Sequence, residues 1–263
     1  MNAPPGGSRR PGIALLRRVA NVIAHPELIR TIGTGLNRAF VRDLLKLRDD
    51  IGFVPATIVD AGASTGAWSR AAMHVYPDAA LWAFEPVPSS FAALARLKAG
   101  HPRFSCFPYA LGSSNGATTL YQNAFPDSSS TLPMTPRLAE VYPHASHATE
   151  IAVEQRRLDA VTDVTMEAPA LLKLDVQGAE LQVLLGSGDL LDRTGVIIAE
   201  ITFEELYSGQ ATYDELCTFL RRRGFDRFFQ LRPESPERDR LQWADLAFLR
   251  SEHAMGGYGG KGR

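Results

Sequence analysis

TIVDAGASTGAWSRAAMHVYPDAALWAFEP, residues 57–86, reads as strand, glycine-rich turn, helix, second strand and then an acid. Thr57 to Asp60 is a short β-branched run that suits a buried parallel strand. Ala61 to Gly66 supplies small residues where backbone has to approach something closely. Trp68 to Tyr76 forms a helix whose first N–H groups face that turn. Leu81 to Phe84 is the second apolar run, and Glu85 follows it at once, 19 positions after Gly66. An acid at that distance is placed to hold ribose hydroxyls in a mononucleotide-binding βαβ unit.

The turn itself narrows the ligand. A dinucleotide fingerprint would read G-x-G-x-x-G, because pyrophosphate needs close backbone approach. Here Gly62 and Gly66 flank Ala63, Ser64 and Thr65, and there is no middle glycine. Asp60, just ahead of the turn, would repel a phosphate. It suits a cationic group such as the ammonium or sulfonium of S-adenosylmethionine. The plainer alternative is a tight turn whose glycines serve only φ > 0.

The totals are ordinary for a soluble globular chain: 263 residues, 45% hydrophobic and 22% charged, enough for a full core in one large domain or two small ones. A net charge of −1 carries no electrostatic footprint for nucleic acid. Cys106 and Cys217 show neither C-x-x-C spacing nor a zinc pattern, which fits a reducing compartment. No apolar run is long enough to span a bilayer, and Ile13 to Leu16 is too short for a signal-peptide core, so the expectation is a cytoplasmic protein without stable membrane insertion.

Along the chain, residues 1–50 read as a Pro/Gly/Arg-rich start, a basic amphipathic helix over Ile13–Ala24 and further helices at Pro26–Ile32 and Leu36–Arg48, together an N-terminal extension and cap. Residues 51–252 read as the main α/β domain and 253–263 as a glycine-rich tail. After residue 86 the pattern predicts a helix over Ser89–Ala99, strands at Arg103–Pro108, Thr118–Gln122 and Ile151–Gln155, and a long loop over Asn123–Glu150. Then come a strand at Ala170–Asp175, a helix opening at Gly178-Ala179-Glu180 with Leu181, Leu184 and Leu185 inward, and a strand at Gly195–Glu200. A helix at Thr212–Arg223 and a β pair at Phe225–Leu231 and Ala244–Leu249 close the domain. This alternation argues a doubly wound parallel sheet with its ligand beyond the carboxyl ends of the strands. Asp60, Glu85, Asp175 and Glu200 each end a predicted strand, so all four fall on that rim, and at least one is expected to serve the structure alone.

Three segments together resemble the FkbM family of S-adenosylmethionine-dependent methyltransferases: DAGASTGAWS (60–69), LLKLDVQGAELQVLLG (171–186) and IIAEITFEELYSGQ (197–210), with DSSSTLPM (127–134) similar to the family's serine-rich loop. The resemblance runs over about residues 55–250, and D-V-Q-G-A-E is its most specific part. It implies a class I methyltransferase fold, Rossmann-like and doubly wound, and O-methylation of a hydroxyl on a sugar or secondary metabolite. It also implies donor contacts at Asp60, Gly62, Ala63, Ser64, Thr65 and Gly66, the ribose on Glu85 with Pro86 beside it, the adenine near Ala110, and Ser129 and Ser130 folded over the donor. The family turn usually has Asn where this chain has Ser64.

Methyl transfer to a hydroxyl needs alignment and a way to remove a proton. Lys173 and Asp175, two apart on one strand, point to the same face, and a lysine there needs a carboxylate partner. In one mechanism Asp175, with Lys173, orients or deprotonates the acceptor. In another, Asp175 and Glu200 hold a divalent ion such as magnesium. His144 and His147 in the long loop are further base candidates. Two other classes stay open: a nicotinamide-dependent oxidoreductase, and a binding module of the same fold without turnover. The acceptor, a small molecule, is expected to be selected by Asn123–Glu150 and the N-terminal helices.

Overall fold

The computed structural model describes residues 27–123, 128–142, 148–231 and 243–251. The expected helix at Ile13–Ala24, the two loop histidines and the tail from 253 lie outside the described residues. Short helices α1 (Glu27–Arg30) and α2 (Arg38–Leu45) precede β1 (Thr57–Ala61), α3 (Ala67–Val75), β2 (Ala80–Phe84), α4 (Pro88–Leu94) and β3 (Phe104–Phe107). An excursion follows: β4 (Ala110–Leu111), β5 (Gly116–Asn123), α5 (Pro136–Val141) and β6 (Ala148–Arg156). The chain then returns through β7 (Ala170–Leu174), α6 (Glu180–Leu185), β8 (Thr194–Thr202), α7 (Tyr213–Arg222), β9 (Phe225–Gln230) and β10 (Trp243–Arg250).

One sheet of seven strands runs β3-β2-β1-β7-β8-β10-β9. The first five are parallel, and β10 pairs antiparallel with both β8 and β9. This is the class I methyltransferase order: the chain winds outward from β1 to β3, then restarts beside β1 with β7. The hydrophobic runs form central strands because β1 and β7 are buried at every position, as parallel strands covered on both faces must be. Local signals set the helix starts. Asn37 caps α2 by accepting from the N–H groups of Ala39 and Phe40. Thr212 and Glu215 form a reciprocal capping box on α7.

Two differences from the sequence reading stand out. The Asn123–Glu150 segment is not all loop, since it contains α5 and the start of β6, and β4, β6 and β5 make a separate three-stranded sheet. On α6, Val183 and Leu184 are buried, whereas Leu185, expected inward, is 48% exposed. The helix starts at Glu180 and is only six residues long, so its buried stripe is one residue narrower than the apolar pattern suggested.

The core lies in two layers. On one face Val59, Leu172, Leu174 and Ile197 pack with Val183 and Leu184 of α6 and Leu216 and Leu220 of α7. On the other, Ile58, Leu171 and Ile198 pack with Val41, Leu44 and Leu45 of α2 and Ala71 and Ala72 of α3. Strand alternation places Asp60 and Lys173 on this second face, and register sets them directly beside each other, Asp60 opposite Lys173. Lys173 Nζ lies 3.1 Å from Asp60 Oδ1 and 3.2 Å from Asp175 Oδ2. Ser69 of α3 donates to the other Asp60 oxygen at 2.6 Å. Asp60 is fully buried, so removal of the ammonium would strand a charge inside the sheet. Lys173→Met is therefore expected to cost about 3–5 kcal/mol in urea unfolding, and adding Asp60→Asn should recover part of the loss. A single variant within about 1 kcal/mol of the wild type would show that the ammonium does not hold Asp60.

Candidate functional site

A cavity of about 360 Å³ opens at the carboxyl ends of β1, β2, β7 and β8, within the range of small-molecule sites. It lies where the chain switches direction between β1 and β7, the usual place for a ligand in an open α/β sheet. Two turns form its floor, one after β1 and one after β7, and they touch each other.

The turn after β1 carries Gly62 at φ +75° and Ser64 at φ +47°. A Cβ on Gly62 would sit 2.0 Å from the Asp175 carbonyl oxygen. The glycine is thus required by the neighbouring turn of the protein, independently of any ligand. Gly66, at φ +86°, faces the side-chain ends of Leu97 and Leu94 rather than backbone. Ser64 occupies the left-handed region, which Asn adopts more readily than Ser. The bent backbone aims the Ser64 N–H at Glu85 Oε2 (2.7 Å), while Glu85 Oε1 accepts from the Val87 N–H (2.8 Å). Burial pushes the Glu85 carboxyl up to about 7, against the lowering effect of those two hydrogen bonds.

The turn after β7 is built from Asp175, Val176, Gln177 and Gly178. Gln177 also sits at positive φ, +53°. Its side chain donates to Asp175 Oδ1 (3.0 Å) and accepts from the Tyr207 hydroxyl (2.9 Å), and its carbonyl accepts from Ser130 Oγ (2.7 Å). The serine-rich segment is fastened to β5 as well. Tyr121 and Ser130 exchange backbone hydrogen bonds, and Ser129 Oγ accepts from the Asn123 N–H (3.1 Å). Ser129, Ser130 and Thr131 line the cavity from above as a strap.

Electrostatics separate the acids. Burial alone would lower the Lys173 pKa, but Asp175 and Asp60 outweigh it and the net shift is upward, so Lys173 is a fixed ammonium. It also lies over the Trp68 ring, 5.6 Å from its centroid. Burial pushes Glu180 up to about 7. Glu200 is raised well above the ordinary carboxylate range, by burial first and then by Asp175, Asp245 and Glu180. The cation that the structure sets against these acids is the Lys173 ammonium, 3.2 Å from Asp175 Oδ2. Among the described residues there is no group of three or more His, Cys, Asp or Glu arranged to hold a metal.

Of the residues singled out from the sequence, Gly62, Ala63, Ser64, Thr65, Glu85, Pro86, Ala110, Ser129, Ser130, Lys173 and Asp175 all line the cavity. Asp60 and Gly66 do not; Asp60 lies beneath the floor with Lys173 and Ser69. Gln177, Asn37, Phe40 and Leu120 line the cavity without having been singled out. For Gln177 a signal existed, a polar residue before glycine at a strand end. Asn37 and Phe40 arrive through helix packing that no local pattern encodes. Gly62→Ala is expected to cost at least 2 kcal/mol in thermal or urea unfolding, roughly the sum of strain and overpacking. A variant of unchanged stability would mean that the two turns separate easily.

Comparison with known proteins adds the family. The methyltransferase FkbM domain model matches residues 60–227. The 2-O-methyltransferase NoeI of Sinorhizobium fredii is 29% identical over 160 residues, covering 58% of this chain and 66% of that protein. The methyltransferase sdnD of Sordaria araneosa is 29% identical over 225 residues, covering 76% of this chain and 82% of its own. Among solved structures, a precorrin-6y C5,15-methyltransferase from Geobacter metallireducens aligns over 81% of this chain and 87% of its own, at 13% identity and a TM-score of 0.40. The fold assignment rests on the strand order itself. With its family model spanning the β1 turn through β9, this chain belongs to the FkbM methyltransferase family and is a methyltransferase that uses S-adenosylmethionine.

Proposed function

We propose that the protein transfers a methyl group from S-adenosylmethionine to a hydroxyl of a small molecule, a sugar, glycoside or related natural product, in a reducing, cytoplasmic setting. The methyltransferase unit is taken as residues 51–252, with the preceding helices as its cap. The observation that carries the reading is the Glu85 carboxylate held at the cavity wall by the Ser64 and Val87 N–H groups. Both oxygens are oriented, each keeps a lone pair, and the acid follows β2 as a ribose-gripping acid does. The resemblance to NoeI, named as a 2-O-methyltransferase, supports oxygen as the acceptor atom.

S-adenosylmethionine supplies a methyl on a sulfonium, which leaves as a neutral thioether. The chain's residues bind and align. In this reading Gly62 to Thr65 meet the amino-acid part of the donor with backbone, and Asp175 faces the reacting end. Phe84, Ala110, Leu111 and Leu120 offer an apolar wall to the adenine. Ser129 and Ser130 cover the donor from above. Alignment of this kind can supply roughly 7–11 kcal/mol of barrier lowering. Asp175 is rigid, held by Lys173 on one oxygen and Gln177 on the other, so it orients a hydroxyl without needing to move. The nicotinamide alternative is disfavoured because the turn lacks the middle glycine and the family is one of methyltransferases.

The test is calorimetric titration with S-adenosylhomocysteine, beside NAD as control. The wild type should bind the former and not the latter. Glu85→Gln should weaken binding by roughly ten- to a hundredfold, the range for hydrogen bonds to a charged group. Because the Glu85 carboxyl is raised to about 7, it loses its proton as pH rises through neutrality and becomes a pure acceptor. Wild-type affinity should thus improve between pH 6 and 8, while the Gln variant stays flat. Equal affinity in both proteins would remove Glu85 from the donor site.

A further inference from the structure

Transfer to an alcohol leaves a proton to be taken up, and among the described residues the geometry reduces the candidates to one side chain. Lys173 is a fixed ammonium between two carboxylates. Both oxygens of Asp175 are engaged, by Lys173 and by Gln177. Glu85, with each oxygen oriented by one backbone N–H, is assigned above to the ribose of the donor. The Tyr207 hydroxyl donates to Gln177 and is pushed up by burial. Glu180 accepts from the Gly178 N–H and does not line the cavity. Glu200 remains. It lines the cavity beside Asp175, half-buried, and among the described residues its carboxyl makes no hydrogen bond or ion pair.

We propose that Glu200 accepts the proton of the hydroxyl that is methylated. The inference rests on the O-methyltransferase reading above. In the step, the acceptor oxygen bonds to the methyl carbon, the methyl–sulfur bond breaks with its electron pair passing to sulfur, and the hydroxyl proton moves to a Glu200 oxygen and from there to solvent.

The position follows from the sheet. Alternation puts Glu200 on the same face as Lys173 and Asp60, and register places it opposite Asp245. The groups facing it are Lys173 and Asp175 at the end of β7, Asp245 on β10, Glu180 of α6 and Tyr207 on the segment after β8. Three of these five, Asp175, Asp245 and Glu180, disfavour a charge on Glu200, Lys173 favours it, and Tyr207 is a neutral phenol. The carboxyl is therefore held with an appetite for protons that an ordinary exposed Glu lacks, and a general base works best when its pKa approaches the working pH. Asp175, clamped on both sides, orients; Glu200, unclamped, exchanges.

The experiment compares wild type, Glu200→Gln, Glu200→Asp and Asp175→Asn, with S-adenosylhomocysteine as the binding probe and a panel of methyl glycosides as acceptors. Glu200→Gln should bind S-adenosylhomocysteine within about twofold of wild type, which also reports that it is folded. Its kcat at saturating donor should fall about 10²–10⁴-fold, and the acidic limb of the kcat–pH profile should vanish. Glu200→Asp should keep that limb with a lower plateau, and Asp175→Asn should lose rate while keeping it. Independently of turnover, difference infrared spectroscopy of wild type against Glu200→Gln should reveal a protonated carboxyl band that titrates above the ordinary carboxylate range. The base assignment is overturned if Glu200→Gln retains kcat within about threefold, if it keeps the acidic limb, or if no such band exists. A wild type that binds no S-adenosylhomocysteine defeats the donor site beneath it. One that binds but methylates none of the glycosides defeats the hydroxyl acceptor, and the base with it.

Discussion

The ammonium of Lys173 lies between Asp60 and Asp175 inside the parallel sheet, 3.1 and 3.2 Å from them. Asp60 is fully buried and Lys173 nearly so, and burial of either alone would carry a penalty of several kcal/mol. Paired, they join β1 to β7 at the point where the chain changes direction. Lys173 also immobilises one oxygen of Asp175, the residue that opens the second turn. The charge pair is therefore part of the frame on which both walls of the cavity stand, and it ties the stability of the sheet to the shape of the site.

Above that frame the two turns are fitted to one another. Gly62 has no room for a side chain because the Asp175 carbonyl occupies the space. Ser64 and Gln177 both adopt positive φ, a conformation that side-chain-bearing residues reach at a cost and that persists only where surrounding contacts determine it. Here those contacts are visible: Glu85 accepts from the Ser64 N–H, and Tyr207, Ser130 and Asp175 hold Gln177. Strained backbone at both lips, held by buried hydrogen bonds, gives a cavity that is shaped before any ligand arrives. The serine-rich strap belongs to the same network, so a ligand beneath it would meet a wall fastened at both ends.

Much of the plan was legible locally. Apolar runs of strand length, separated by helical periodicity and punctuated by Gly62, Gly66 and Gly178, point to a parallel α/β sheet, and acids at strand ends point to its functional rim. Less legible was the excursion between β3 and β7. Its strands are short and polar on one side, and they pair with one another through contacts distant in sequence. Leu185 shows the same limit: an apolar residue at helical spacing reads as core, yet the helix is too short to bury it.

The sequence by itself determined the sheet, the rim and the residue types placed there, because strand alternation and turn chemistry act over a few neighbouring positions. Tertiary structure alone decided how the four rim acids divide their roles. Asp60 faces the cation offered by β7 and is buried with it. Glu85 is oriented by two backbone donors, and Asp175 is clamped by Lys173 and Gln177. Glu200 is left unclamped among like charges. All four are carboxylates after or within similar strands, so their types cannot distinguish them. Cross-strand register and burial do, since these fix which partner each charge meets and how much water it keeps.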